Sequence, residues 1–243
     1  MVGAAWLAVL SCAVAAAAGS APGGDERRQW WRDPCALHAK SPLKGKRWQL
    51  VLERRVKKVK QQVDITLNHF RLQKLNSLYP EGVREIVKQH FEQTWLPGIG
   101  NVNMMRDRIS QHFKVQFLFP ELHADLQKFA VALQGMLEDR GEEAARAEAL
   151  RGTALQLQLL LCEVELALGR MKVAVPGRQD PAVMSPEERH PAGNTARVVR
   201  DWGTLSRYRG YLQGWARLLA RTTRRRRRAS RPSSPATAPA PSR

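Results

Sequence analysis

The sequence lacks the short motifs that mark common catalytic sites. It contains no glycine-rich phosphate loop, no Gly-x-Ser-x-Gly turn and no His-Glu-x-x-His zinc motif. Its 6 histidines are not spaced to pair with a cysteine or with each other, which argues against a metal site. Ser110 and His112 lie in a segment expected to be a loop, with no third partner for nucleophilic catalysis. The sequence therefore predicts neither an enzyme nor a bound cofactor.

Long apolar runs are also missing, apart from one stretch near the N-terminus. Residues 4–18 carry no charge, and small residues typical of a signal-peptidase site close the run. The run is shorter than the roughly 18–20 residues that a membrane-spanning helix needs. We therefore expect a signal peptide over residues 1–19, a secreted, extracellular protein and no membrane insertion. A buried core helix and a transmembrane anchor are the alternatives.

Cysteine is scarce, with 3 in the whole chain, and Cys12 falls in the expected signal peptide. The other two, Cys35 and Cys162, are an even pair, which in a secreted protein most simply forms one disulfide. Two buried free thiols are the alternative. The sequence also has no Asn-x-Ser/Thr sequon, so N-glycosylation is not expected.

Acidic residues are outnumbered, since 22 Asp and Glu stand against 40 Lys and Arg and give a formal net charge of +18. Inside a cell this balance indicates a nucleic-acid binder. Outside a cell the available polyanions are sulfated glycosaminoglycans such as heparan sulfate. Because export is expected, DNA and RNA are poor candidates as partners.

A run of consecutive arginines near the C-terminus has three interpretations. A processing site is the first, because Arg-x-Arg-Arg matches the substrates of secretory-pathway proprotein convertases. A polyanion contact is the second, and a solvated tail with no role is the third. Residues 224–243 are basic and rich in Pro, Ser and Ala, so we expect a disordered tail that processing can remove. The run consists of Arg224, Arg225, Arg226, Arg227 and Arg228.

No segment shows the alternating pattern of a strand, whereas apolar residues spaced three and four apart predict four helices. These apolar stripes lie within residues 47–78, 122–137, 150–171 and 198–219. The third stripe has additional leucines on neighbouring faces, so we expect it to form the most buried helix. Outside the signal peptide and the tail, residues 20–223 fit one all-α domain.

The connections between the helices are long, short and long. About forty residues separate the first two stripes, about ten the second and third, and roughly twenty-five the last two. A short link forces antiparallel neighbours, whereas a long link can run the length of a bundle. This pattern predicts an up-up-down-down four-helix bundle with two long crossover loops.

The order and spacing of these features resemble the long-chain four-helix cytokines of the interleukin-6 type, closest to the leukaemia inhibitory factor and oncostatin M group. Cys35 and Cys162, the latter within LLLCEVELALGRM, match the pair that links these elements in that group. The first helix ends at LNSLYPEG, and the fourth, RVVRDWGTLSRYRGYLQGWARLL, has a similar aromatic spacing. The basic C-terminal extension is similar to the one trimmed from the oncostatin M precursor. The resemblance covers most of residues 35–221.

The resemblance implies a secreted, monomeric ligand that joins a shared signal-transducing receptor to a second receptor and so triggers kinase-linked signalling. It implies contacts with the shared receptor through exposed faces of the first and third helices. It also places a second receptor site near the start of the fourth helix, where Trp202 has a core position as its alternative role. By position the contact residues are Arg54, Lys57, Lys58 and Gln61 on the first helix, and Arg200 and Trp202 on the fourth.

Two departures from the group leave the second receptor open. The chain has no cysteines for the group's commonly found second disulfide, and its Phe/Lys pair is absent around residues 195–199. An arrangement like that of interleukin-6 or interleukin-11, which use a Trp in this region, is the alternative. Two other functions compete with the cytokine hypothesis. One is a secreted heparin-binding protein whose Arg run is the functional element, and the other is a cationic membrane-active protein.

Overall fold

The computed structural model describes residues 29–36, 48–74, 85, 91, 93–110, 115–139 and 144–229. All regular structure in these residues is helical, which confirms the predicted all-α class. Short 3₁₀ turns lie at Trp30–Arg32, Val115–Leu118 and Pro181–Val183. The α-helices are α1 (Trp48–Lys74), α2 (Ile99–Ser110), α3 (Phe119–Glu138), α4 (Ala144–Arg170), the one-turn α5 (Pro186–Arg189) and α6 (Asn194–Ala229).

The four long helices α1, α3, α4 and α6 contain the four predicted apolar stripes, and these stripes form the core. On α1, for example, Leu52, Val56, Val59 and Val63 are fully buried at the 3–4 spacing of one helix face. α1 packs against α4 and α6, and α3 packs against α4. The ring of Phe129 on α3 lies 4.5 Å from that of Tyr208 on α6, between centroids. Burial of these apolar side chains is the main stabilising contribution to such a fold.

Polar contacts between the long helices fix which parts of them are neighbours. The hydroxyls of Thr66 on α1 and Thr153 on α4 lie 2.8 Å apart in the interior. Further along the same pair of helices, Arg55 donates to Glu163 at 2.9 Å.

Three contacts show which parts of α4 and α6 lie next to α3. His123 Nε2 of α3 lies 2.9 Å from Glu165 Oε1 of α4. Tyr211 of α6 donates to Asp125 at 2.9 Å, and Arg200 of α6 donates to Asp139 at 3.0 Å.

Helix α2 was not predicted, because its residues fall in the long connection after the first stripe. Ser110, expected in a loop, is in fact the last residue of this helix. Val102 and Met105 of α2 are buried, and α2 packs on α6. A Cβ added at Gly214 of α6 would lie only 3.0 Å from Val102, so the missing side chain lets the two helices approach closely.

The predicted disulfide between Cys35 and Cys162 is present, with the two Cα atoms 4.9 Å apart. It ties the segment before α1 to the middle of α4. Next to it, Trp31 is buried and Trp30 Nε1 donates to Gln134 Oε1 of α3 at 3.2 Å. The N-terminal segment is therefore packed onto the bundle by two tryptophans as well as by the covalent bond.

The end of α6 differs from the sequence prediction. The helix continues past residue 223, the expected end of the bundle, and includes the whole arginine run up to Ala229. The predicted bounds of the bundle, residues 20–223, and of the tail, residues 224–243, stay predictions. The predicted signal peptide and residues 230–243 lie outside the described residues. Among the helices that are described, none is both long enough and apolar enough to cross a bilayer.

Candidate functional site

The predicted contact residues of α1 form one exposed face of that helix. Arg54, Lys57, Lys58 and Gln61 are all exposed, and their spacing places them together on the side away from the core. Lys57 already forms an ion pair, because its ammonium lies 2.6 Å from the Glu53 carboxylate one turn earlier. Exposure is a requirement for a receptor contact but is equally typical of a solvated surface, so this role stays a prediction.

Arg200, predicted to lie near the second receptor site as a contact, is a buried residue. Its side chain is 4% exposed. Its guanidinium donates to Asp201 at 2.6 Å, to Asp139 at 3.0 Å and to the carbonyl of Arg189 at 2.7 Å. Only a small part of Arg200 is therefore accessible to another protein, and its role as a receptor contact stays a prediction. Its burial was not predicted, because Asp139 is distant from it in the sequence.

The acid at the centre of this cluster is Asp139, directly after α3. It also accepts from Arg197 Nε at 2.7 Å, and Arg189 pairs with the neighbouring Glu138 at 3.2 Å. Burial alone would raise the pKa of Asp139, but the hydrogen bond from Arg197 and the charge of Arg200 outweigh it and lower the pKa. The cluster thereby joins the end of α3, α5 and the start of α6.

We expect acid to destabilise the protein through this cluster. Because the pKa of Asp139 is lower in the folded than in the unfolded chain, its contribution is complete above the ordinary carboxyl pKa of about 4 and is lost as the pH falls through the folded value. The free energy of unfolding, measured by urea denaturation at several pH values below about 5, should therefore fall. The variant Asp139→Asn should be less stable than the wild type at neutral pH, and its free energy of unfolding should fall less on acidification. An equal pH dependence in both proteins would contradict this assignment.

A groove opens beside the buried arginine cluster, between α5, the start of α6 and the segment that precedes α2. Its volume is about 740 Å³, and most of its exposed lining is apolar. Glu187 and Glu188 add charge to this lining. An apolar surface with a few polar groups at its border is typical of a binding site. The other lining residues are Phe91, Gln93, Pro191, Ala192, Thr195, Ala196, Val199 and Arg200.

Hydrogen bonds hold the walls of the groove in place. Gln93 accepts from the Thr204 hydroxyl of α6 at 2.9 Å, and Trp95 Nε1 donates to Glu188 at 3.0 Å. Glu188 also completes a capping box with Ser185, in which each residue's backbone N–H donates to the other's side chain. The groove is thus built by residues from two separate connections and one helix, all anchored to each other.

Trp202 lies one turn beyond the groove. It is half-buried against the hydrophobic core and is not among the groove's lining residues. The aromatic residue that does line the groove is Phe91, whose ring lies under the guanidinium of Arg207 at 5.9 Å from its centroid. Sequence reasoning missed Phe91 and Gln93, because an isolated aromatic or amide in a connection shows no periodicity to mark it.

Gly203 on α6 allows Phe91 to occupy this position, since a Cβ there would overlap its ring. Gly203→Ala should therefore displace Phe91 and cost about 1–3 kcal/mol of unfolding free energy through overpacking. Gly210→Ala is the matched control, because nothing lies within 4 Å of the added Cβ on the same helix. There alanine's better helix propensity should stabilise by up to about 1 kcal/mol. Urea denaturation measures both, and similar values for the two variants would contradict the close contact.

No group of three or more His, Cys, Asp or Glu residues among those that the structure describes could hold a metal ion. Of the predicted arginine run, Arg224 is exposed, while the side chains of Arg225, Arg226, Arg227 and Arg228 lie outside the description. No protein-family model, no curated protein and no solved structure matches this chain.

Proposed function

We propose that this chain is a secreted helical cytokine that assembles a shared signal-transducing receptor and a second receptor on a cell surface. The observation that carries the proposal is the pairing of its four long helices. Thr66 and Thr153 meet at one end of the α1–α4 contact, and Arg55 and Glu163 meet further along. As residue numbers fall on α1 they rise on α4, which supports an antiparallel pair.

The same comparison applies to α3. Asp125 meets Tyr211 and Asp139 meets Arg200, which supports an antiparallel arrangement of α3 and α6. His123, near the start of α3, meets Glu165, near the end of α4. If α4 runs against both α1 and α3, and α6 runs against α3, the order is up-up-down-down with two crossover connections. That topology is the one found in cytokine and growth-hormone bundles.

In this proposal the two receptors use different surfaces. The shared receptor binds the exposed α1 face formed by Arg54, Lys57, Lys58 and Gln61. The second receptor binds the groove at the start of α6, where Phe91 and Val199 provide apolar contact area and Glu187 provides charge at the border. An apolar centre with a polar rim is the usual anatomy of a protein–protein interface.

The test is receptor-dependent phosphorylation of signalling proteins in cells that display the shared receptor, with and without a blocking antibody against it. The mature wild-type chain should produce a signal that the antibody blocks. Ala196→Trp, which fills the groove from an exposed position, should bind the shared receptor normally but signal at least about tenfold more weakly. Lys58→Glu should weaken binding to the shared receptor itself.

Lys172→Glu is the control for Lys58→Glu, because it makes the same charge change at an exposed position outside both surfaces. It should leave signalling and both binding steps unchanged. No signal from the wild-type chain across several responsive cell types would overturn the proposed function. A full signal from Ala196→Trp would overturn only the assignment of the groove.

A further inference from the structure

The arginines of the described helices and links fall into two groups. One group is engaged with acidic residues, for example Arg55 with Glu163, Arg197 with Asp139 and Arg209 with Asp64. By contrast, none of the ion pairs within the described part of the chain involves the three exposed arginines of α6's C-terminal half. Those three are Arg217, Arg221 and Arg224.

These three arginines lie on one face of α6, because their spacing of four and three residues follows the helical repeat. α2 borders this face. Arg106 of α2 lines a cleft with Arg217 and Arg221, and the close packing of α2 on Gly214 brings the two helices together there. The basic cleft is thus formed by two elements that the core holds in a fixed relation.

This concentration of positive charge is unfavourable for the fold alone. Like charges four residues apart on a helix destabilise it by a few tenths of a kcal/mol per pair. The backbone of α6 remains helical through the arginine run to Ala229, so the charges continue beyond the cleft for about another turn and a half. A bound anion would relieve the repulsion along the whole segment.

The cleft is too small to enclose an organic small molecule. Its volume is only about 60 Å³, far below the roughly 300–1,000 Å³ of sites that enclose small molecules. Its lining also contains no aromatic side chain, whereas single-stranded nucleic acids are bound by stacking their bases on aromatic rings. A narrow line of arginines suits an extended chain with anionic groups at its periphery, since each guanidinium can donate two parallel bonds to one group.

We propose that the α2–α6 cleft and the adjoining face of α6 bind a sulfated glycosaminoglycan chain. Arg217 and Arg221 hold its sulfate groups at the cleft, beside Arg106 of α2, and Arg224 extends the contact toward the C-terminus. The arginine run after residue 224 adds general attraction, but the folded cleft determines where the chain lies. This site is distinct from the groove and from the α1 face, so it stands whether or not the receptor proposal holds.

The experiment titrates the mature full-length chain with a heparin dodecasaccharide at about 0.15 M salt and at several other salt concentrations. Arg217→Gln/Arg221→Gln leaves the run Arg224–Arg228 intact and changes only exposed side chains. It should weaken binding at least tenfold and reduce the slope of log K against log salt by about two. Arg151→Gln/Lys172→Gln removes the same charge from exposed positions outside the cleft and the α1 face, and should weaken binding less than about twofold.

Two further arms make the result specific. Arg217→Lys/Arg221→Lys keeps the charge but removes the guanidinium group, so its affinity for heparin should lie between those of the wild type and the glutamine variant. Desulfated heparin should bind far more weakly than heparin, as should a single-stranded DNA of equal charge. An equal loss in both glutamine variants, or a loss only when the run Arg224–Arg228 is replaced, would overturn the cleft. DNA binding as strong as heparin binding, with the same dependence on Arg217 and Arg221, would overturn the glycosaminoglycan.

Discussion

Replacing Arg200 by methionine should lower the free energy of unfolding by about 3–5 kcal/mol, although methionine fills much of the same space. The reason is the pair of acids that Arg200 neutralises. Asp201 is fully buried, and the side chain of Asp139 is 6% exposed. Without the guanidinium, Asp201 loses a cation at 2.6 Å, Asp139 keeps only one of its two arginine partners, and the carbonyl of Arg189 loses its donor.

Urea denaturation of the purified variants measures this effect. Arg217→Met is the control, because Arg217 lies on the same helix but is exposed, and it should change stability by less than about 0.5 kcal/mol. The double variant Arg200→Met/Asp201→Asn removes a charge together with its partner and should be more stable than Arg200→Met alone. A double variant that is less stable than the single one would show that the cost is not an unpaired buried charge.

Removing the disulfide should lower the free energy of unfolding by a similarly large amount. The Cys35–Cys162 bond joins residues that are 127 positions apart. In the chain-entropy model, a cross-link over a loop of this length destabilises the unfolded state by about 5 kcal/mol at 25 °C. Cys35→Ala/Cys162→Ala should lose most of that contribution. It should also expose the tryptophans that pack beside the bond, because the segment before α1 then depends on Trp30 and Trp31 alone.

The measurement compares oxidised wild type, reduced wild type and the alanine pair in denaturant. Reductant should lower the midpoint of the wild type to near that of the alanine pair and leave the pair itself unchanged. Tryptophan fluorescence should shift to longer wavelength in both forms that lack the bond. If the alanine pair were within about 1 kcal/mol of the oxidised wild type, the bond would contribute little to the fold and the loop-closure argument would be wrong.

The helices could be predicted where their apolar stripe is strong and uninterrupted. α4 is the best case, since Leu150, Leu157, Leu161, Val164 and Leu168 are all fully buried in the order that the pattern predicts. α2 escaped detection because it has glycine near its start and exposes Ile99 and Met104 beside the buried Val102 and Met105, which blurs its periodicity. Tertiary packing against Gly214, and not the local pattern, decides its position.

The candidate site was less predictable than the fold. Its approximate place at the start of α6 was anticipated, but the role of Arg200 was not. An arginine is usually a surface residue, and only a fold that brings the end of α3 next to it supplies the buried acid it needs. The groove also requires Phe91, Gln93 and Val199 to meet from distant parts of the chain, which no spacing in the sequence encodes.

The helical state of the arginine run bears on how the protein would be trimmed. Proteases act on locally opened chain, preferentially at exposed, unstructured sites, yet α6 is wound through Arg224–Arg228 to Ala229. If the run is a processing site, cleavage within it would have to wait for the last turns of α6 to unwind, and that equilibrium would set the rate of trimming. A polysaccharide bound along Arg221 and Arg224 would keep those turns helical and so protect the C-terminal residues from the protease.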